Sequence, residues 1–210
     1  MVSYHFYAVP GPTETIENWQ YSFFSQADEF VAKVHFVGNL RQRLSPGTRT
    51  AINEVGSILP NDAINPVPLA IPKDYWGLSA AMYASLYVSF SKLGIDLLGE
   101  SQLVGSPAQF PEVTLIDWSS GAPNARYWVL KLLIQSIHQN DEIVSAHVEA
   151  VGQRSSEMSL NLVSSDIVAQ GYKSLNGAKR ILLVNRRIYP VEVGLERSDM
   201  STVAAVGTGQ

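Results

Sequence analysis

The chain has 210 residues, of which 46% are hydrophobic and 16% charged, a composition typical of a globular protein with one large domain or two small ones. Its formal net charge is −4 and its lysines and arginines are not clustered, which excludes a nucleic-acid or anionic-membrane surface, since both need local positive charge. The absence of cysteine excludes disulfides and cysteine nucleophiles, and the four histidines show no metal-ligand spacing, so no metal and no cofactor are expected.

The first residues lack the basic and apolar regions of a signal peptide. The most apolar helical run, residues 79–90, is shorter than the roughly 20 residues that a membrane span needs. We therefore expect a soluble protein, and the composition leaves its compartment open. The opening segment already has the pattern of a buried strand, and nothing precedes it with which it could pair.

The first two thirds of the chain alternate between strand and helix patterns. In chain order, the predicted elements are a strand over residues 2–9, a helix over 25–44 after an aromatic loop over 19–24, a strand over about 49–55, a proline-rich loop over 59–72, a helix over 74–92 closed by Gly94, a short strand over 95–99, and a helix over 124–137. This alternation predicts a parallel α/β arrangement.

Two of the predicted strands end in a glutamate. Glu54 closes the second strand, and Gly56 lets the backbone turn sharply just after it, whereas Glu100 follows the third strand. The chemistry of such sheets gathers at the carboxyl ends of the strands, so both glutamates are candidate functional acids. The alternatives are a solvated strand-end glutamate for Glu54 and a structural hydrogen-bonding role for Glu100.

After about residue 140 the apolar period changes from 3.6 to 2, which indicates short strands. They are predicted over residues 143–151, 158–163, 167–172, 180–185 and 189–195, with a turn at Asn176-Gly177 and a weak last strand after residue 201. The pattern predicts a small antiparallel β domain after the α/β part.

A series of short motifs, taken in order, resembles retaining glycoside hydrolases of clan A, particularly families 39 and 79. The motifs are Asn53-Glu54-Val55-Gly56, Gly94-Ile95-Asp96, Gly99-Glu100-Ser101-Gln102, Gln109-Phe110-Pro111 and Pro123-Asn124-Ala125-Arg126-Tyr127-Trp128. The resemblance implies the C-terminal part of a (β/α)8 TIM barrel, strands six to eight, over residues 1–139. It also implies a small antiparallel β-sandwich, truncated, over residues 140–210.

The resemblance also implies a reaction, the hydrolysis of O-glycosyl bonds with retention of configuration. It assigns the nucleophile to Glu54, at the end of strand seven, and implies substrate contacts from Tyr4, His5, Tyr7, Glu100, Gln102 and Trp118. A retaining site needs a second carboxyl group about 5–5.5 Å away, and in this clan it comes from strand four, which this sequence lacks. The expectation is therefore a fragment that is inactive as an isolated chain.

Several interpretations compete with, or add to, this assignment. The alternative function is a non-catalytic carbohydrate-binding or interaction module, and open barrel edges predict self-association. The tryptophans Trp19, Trp76 and Trp118 could stack on sugars, but core packing is the stronger interpretation for Trp76. For His5 the alternative is an ordinary hydrogen-bonded histidine, and Arg126 is expected to pair with a carboxylate or to cover its helix. The family resemblance suggests a secreted or extracytoplasmic protein.

Overall fold

A computed structural model of the chain describes residues 1–59, 71–105, 110–149 and 166–195. In chain order its elements are β1 (Val2–Ala8), α1 (Ile16–Leu44), β2 (Thr50–Ser57), α2 (Lys73–Lys92), β3 (Leu97–Leu98), a 3-10 helix (Pro111–Val113), α3 (Ala125–Ser136), β4 (Glu142–Val144), β5 (Ile167–Lys173) and β6 (Lys179–Asn185). No helix within these ranges is long and apolar enough to cross a membrane.

The first sheet is parallel, with β2 in the centre between β1 and β3. Helices α1 and α2 connect its strands and cover one face, where a fully buried apolar core forms around Phe23, Ile52, Val55, Met82 and Phe90. An extra residue, Asn53, interrupts the β1–β2 register, because Tyr4 pairs with Ile52 and His5 pairs with Glu54. This β-bulge places Glu54 directly opposite His5.

The predicted TIM-barrel fold is wrong. The described strands form two separate three-stranded sheets, one parallel and one antiparallel, and neither closes into a barrel. A small closed barrel takes about eight strands with matched tilt and stagger, whereas here β3 pairs through only two residues and β1 has one neighbour among the described strands. The predicted β-sandwich is wrong for the same reason, since β4, β5 and β6 make one single sheet.

The largest difference at the level of single elements is the start of α1. This helix begins at Ile16, after an extended Thr15, so the predicted aromatic loop over residues 19–24 is helical and Ser25 lies inside the helix rather than at its cap. Trp19 and Phe23 are four residues apart and therefore share one helix face, where their rings stack. The aromatic residues signal a buried helix face rather than a loop.

Other elements agree with the sequence predictions or fall short of them. Helices α2 and α3, strands β5 and β6, and the turn at Gly177 are confirmed, and Gly94 has the positive φ of 67° expected of a glycine that closes a helix. The strand predicted over residues 95–99 shrinks to Leu97–Leu98, and the one predicted over 189–195 is not formed. The predicted strands over 158–163 and after 201, and most of the proline-rich loop, lie outside the described residues.

The antiparallel sheet is joined to α1 through the residues that follow β6. The Arg186 guanidinium donates to the Asp28 carboxylate at 2.7 Å and to the Phe24 carbonyl at 3.2 Å, and it lies over the Phe24 ring. Two residues after Arg186, the Ile188 backbone N–H donates to the Gln20 side chain at 3.1 Å. Specific polar contacts thus join the antiparallel sheet to α1, the helix that packs on the parallel sheet. The domain boundary between residues 139 and 140 stays a prediction.

Candidate functional site

A cluster of polar side chains surrounds Glu54, which lies inside β2. The predicted strand end at Glu54 and the turn at Gly56 are wrong, because β2 continues to pair with β1 as far as Ser57. The Tyr7 hydroxyl donates a hydrogen bond to Glu54 Oε2 at 2.8 Å, and His5 Nδ1 lies 3.3 Å from the same oxygen. The side chain of Glu54 is 41% exposed, so its carboxylate is open to a ligand. The structure therefore brings together three of the residues that the sequence singled out.

The alternation of β1 explains why His5 and Tyr7 reach Glu54. Successive side chains of a strand point to opposite faces, so His5 and Tyr7 share one face. Tyr4 and Phe6 lie on the other face and pack against Phe30 of α1, with ring centroids 6.4 Å and 4.6 Å apart. The helix-covered face therefore holds the apolar residues, and the polar residues are left on the open face.

A glycine opposite Tyr7 makes room for its ring. A Cβ atom at Gly56 would lie 3.0 Å from Tyr7 Cε1 and 3.4 Å from Arg126 Nη2, which is closer than ordinary van der Waals contact. The register pairs Tyr7 with Gly56 directly. The absence of a side chain at this position thus lets the phenol ring approach the β2 backbone with its hydroxyl at Glu54.

We expect Gly56→Ala to destabilise the protein by about 1–2 kcal/mol, because the Tyr7 ring must shift and strain its hydrogen bonds. The matched control is Gly77→Ala in α2, where a Cβ meets nothing within 4 Å and alanine should stabilise the helix by about 0.5–1 kcal/mol. Urea unfolding measures both changes. If both variants were more stable than the wild type, or both less stable, the packing argument for Gly56 would be contradicted.

Ser101 completes the polar cluster from the segment after β3. Its hydroxyl lies 2.7 Å from the Tyr7 hydroxyl, and its backbone N–H donates to the Val55 carbonyl at 3.2 Å. Two residues earlier, the Gly99 N–H donates to the Ile52 carbonyl at 2.7 Å. A Cβ atom added at Gly99 would lie 3.0 Å from the Asn53 carbonyl oxygen. Gly99 therefore allows this segment to follow β2 closely enough to deliver Ser101.

An ion pair between Glu100 and Arg126 lies beneath this cluster. The two side chains are only 4% and 1% exposed, and they contact each other through Glu100 Oε2 and Arg126 Nη2. The guanidinium also donates to the carbonyls of Val55 at 3.1 Å and Val113 at 2.6 Å. Arg126 thus ties together β2, the segment after β3 and the 3-10 helix.

Burial shifts the acidities of two groups in the site. Burial raises the pKa of the Tyr7 phenol above its usual value; the hydrogen bond with Ser101 acts in the opposite direction, and the Glu54 carboxylate raises it again. Burial also raises the pKa of Glu100, although the charge of Arg126 and its hydrogen bond oppose the change. Tyr7 is therefore a hydrogen-bond donor at neutral pH rather than a phenolate.

The other residues expected to contact substrate do not meet Glu54. Tyr4 packs on the helical face, and Glu100 is buried against Arg126. Gln102 accepts a backbone hydrogen bond from Leu115 through its carbonyl, and Trp118 is 59% exposed in a turn. Within the described ranges, no hydrogen bond or ion pair links any of these four residues to Glu54.

Sequence reasoning missed the roles of Ser101 and Gly99. Ser101 immediately follows a predicted strand that ends in an acid, and this position was a usable signal. The function of Gly99 depends on the close approach of two segments distant in sequence, for which a single sequence holds no signal. Arg126 was expected either to pair with a carboxylate or to cover its helix, and it pairs with one.

The fold and the site define a mixed α/β protein with a carboxylate, a phenol and an imidazole on the open face of a parallel sheet. Among the described residues there is no group of three or more His, Cys, Asp or Glu side chains that could hold a metal ion. No protein-family model matches the chain, and no curated protein matches it either. The function is therefore argued from the site.

Proposed function

We propose that the chain carries the nucleophile of a retaining glycoside hydrolase, with Glu54 as the attacking carboxylate. The observation that supports the proposal is the hydrogen bond from Tyr7 to Glu54 Oε2 on the open face of the parallel sheet, with His5 beside the same oxygen. A nucleophilic carboxylate must be held in one orientation and yet reach the substrate, and the partly exposed Glu54 meets both requirements. The resemblance of the motif Asn53-Glu54-Val55-Gly56 to such enzymes points the same way.

The two oxygens of Glu54 have different surroundings. Oε2 accepts from Tyr7, whereas Oε1 makes no hydrogen bond or ion pair with the described residues. In the proposed step Oε1 attacks the anomeric carbon, the bond from that carbon to the leaving oxygen breaks, and a glycosyl ester forms on Glu54. Tyr7 keeps the carboxylate from rotating while this bond forms.

The second carboxyl group of a retaining pair is not supplied beside Glu54 by the described residues. Glu100 is close in sequence to Ser101, but its carboxylate is buried and bound by Arg126, so it cannot reach a leaving group. Protonation of the leaving oxygen typically contributes about 10²–10⁴-fold to the rate. We therefore expect this chain to react with glycosides whose leaving group departs without protonation, and to be inactive toward ordinary glycosides.

The test is covalent labelling with dinitrophenyl fluorodeoxyglycosides that cover several sugars and both anomers. Dinitrophenolate leaves without protonation, and the fluorine slows hydrolysis of the glycosyl ester, so an adduct should accumulate. We expect intact mass spectrometry to show one added sugar and peptide mapping to place it on Glu54. A folded chain that takes up no label across the panel, or takes it up elsewhere, contradicts the proposal.

The alternative is a non-catalytic carbohydrate-binding module, which is favoured because none of the described residues places a second free carboxylate beside Glu54. The open face of the sheet offers hydrogen-bonding groups from Ser3, His5 and Glu54 that a sugar could use. Titration calorimetry against oligosaccharides separates the two functions, because a binding module shows saturable heat without any covalent adduct. The absence of binding by a well-folded chain would exclude the module.

A further inference from the structure

The Tyr7 hydroxyl takes part in two hydrogen bonds with only one proton. Its oxygen lies 2.8 Å from Glu54 Oε2 and 2.7 Å from Ser101 Oγ. An ionised carboxylate can only accept, so the phenol proton must lie on the Glu54 side. Ser101 is then the donor of the second hydrogen bond, and its proton points at the Tyr7 oxygen.

We propose that Ser101 is a positioning residue of this site, which donates to the Tyr7 oxygen and thereby directs the phenol proton onto Glu54. The catalytic meaning of this assignment rests on the proposed function of Glu54, but the direction of the two hydrogen bonds does not. In a chain of hydrogen bonds each bond polarises the next, so the donor at Ser101 strengthens the bond from Tyr7 to the carboxylate.

Ser101 is well placed for this role because its backbone is fixed from two sides. Its N–H is bound by the Val55 carbonyl, which also accepts from the guanidinium of Arg126. The next residue toward the N-terminus, Glu100, is held by the same guanidinium. The buried ion pair and the β2 backbone therefore set the position of Ser101, and Ser101 sets the position of Tyr7.

This arrangement distinguishes the functions of the two Glu54 oxygens. The hydrogen-bond chain ends on Oε2, so this oxygen is held and carries part of the charge, while Oε1 is left for the anomeric carbon. Without the Ser101 hydroxyl, the phenol still reaches Glu54 but has lost the second contact that fixes its torsion. We therefore expect a weaker and less uniform hydrogen bond to Glu54.

The experiment uses the full chain with tyrosine labelled at Cζ, whose NMR shift reports the hydrogen bonds of each phenol. The Tyr7 resonance is assigned by its loss in Tyr7→Phe. We expect Ser101→Ala to move this resonance and to slow labelling of Glu54 by about 3- to 10-fold, the size of one ordinary hydrogen bond. Alkaline titration should show the pKa of Tyr7 raised further in Ser101→Ala, because the hydrogen bond that lowers it is lost.

The controls separate positioning from general damage. Ser101→Thr keeps the hydroxyl and should keep the Tyr7 resonance near its original position, and Ser25→Ala, on the exposed side of α1, should change nothing. An unmoved Tyr7 resonance in a folded Ser101→Ala variant overturns the inference. If the wild-type chain takes no label but the resonance moves and Thr restores it, the proposed function fails while the assignment of Ser101 is supported.

Discussion

The Glu54→Gln variant is expected to lose covalent labelling by on the order of 10⁴-fold or more relative to the wild-type chain. The amide has no negative charge to attack the anomeric carbon, and removal of a covalent nucleophile is among the largest single effects seen in enzymes. Because glutamine has nearly the same shape, it can still accept the hydrogen bond from Tyr7, so the fold should be unchanged. Time courses of adduct formation by intact mass spectrometry measure the loss.

Two variants give this prediction its controls. Glu29→Gln removes an exposed carboxylate on α1 that pairs with Lys33, and its labelling should equal that of the wild type. Tyr7→Phe keeps the nucleophile but removes the hydrogen bond that orients it, so its rate should fall between the two. Undiminished labelling of Glu54→Gln would show that another group is the nucleophile.

The Arg126→Met variant is expected to lose about 3–5 kcal/mol of unfolding free energy, the usual cost of removing one partner from a buried ion pair. Methionine fills much of the space, so the loss comes mainly from the uncompensated charge of Glu100, whose side chain is 4% exposed. The carbonyls of Val55 and Val113 also lose their donors. Urea unfolding should show a lower midpoint than that of the wild type.

The pH dependence of the same variant follows from the sign of the Glu100 shift. Its folded-state pKa is raised above the ordinary value of 4.5, so protonation favours the folded state. The contribution of Glu100 is fully favourable below 4.5 and is lost as the pH rises through the raised folded-state pKa. Without Arg126, the folded-state pKa of Glu100 rises further. The stability deficit of Arg126→Met relative to the wild type should therefore shrink as the pH falls through this raised pKa.

Two controls separate the buried ion pair from the loss of an arginine in general. Arg43→Met removes an exposed arginine near the end of α1 and should alter stability by no more than about 0.5 kcal/mol. The double variant Arg126→Met with Glu100→Gln removes both charges, so it should recover part of the loss. If Arg126→Met were as stable as the wild type at neutral pH, the buried ion pair would not stabilise the fold.

Local sequence pattern was sufficient for most of the regular elements. Helix α2 follows from an apolar stripe closed by Gly94, and β5 and β6 follow from alternation around the turn at Gly177. The pattern failed for the start of α1, because aromatic residues at helical spacing were interpreted as a loop. It failed for the barrel as well, because closure depends on the number and stagger of strands that pair with one another, which no local period encodes.

The sequence by itself predicted that Glu54 lies on a buried strand and that the strand before it carries His5 and Tyr7, whereas the predicted strand end at Glu54 is wrong because β2 continues to Ser57. Only the tertiary structure decided that these residues meet, because the bulge at Asn53 sets the register that pairs His5 with Glu54. It also decided that Glu100 is bound by Arg126, and that Ser101 contacts Tyr7 across 94 positions of the chain. Such contacts arise from packing between distant segments, so they follow from the fold and not from the spacing of residues along the sequence.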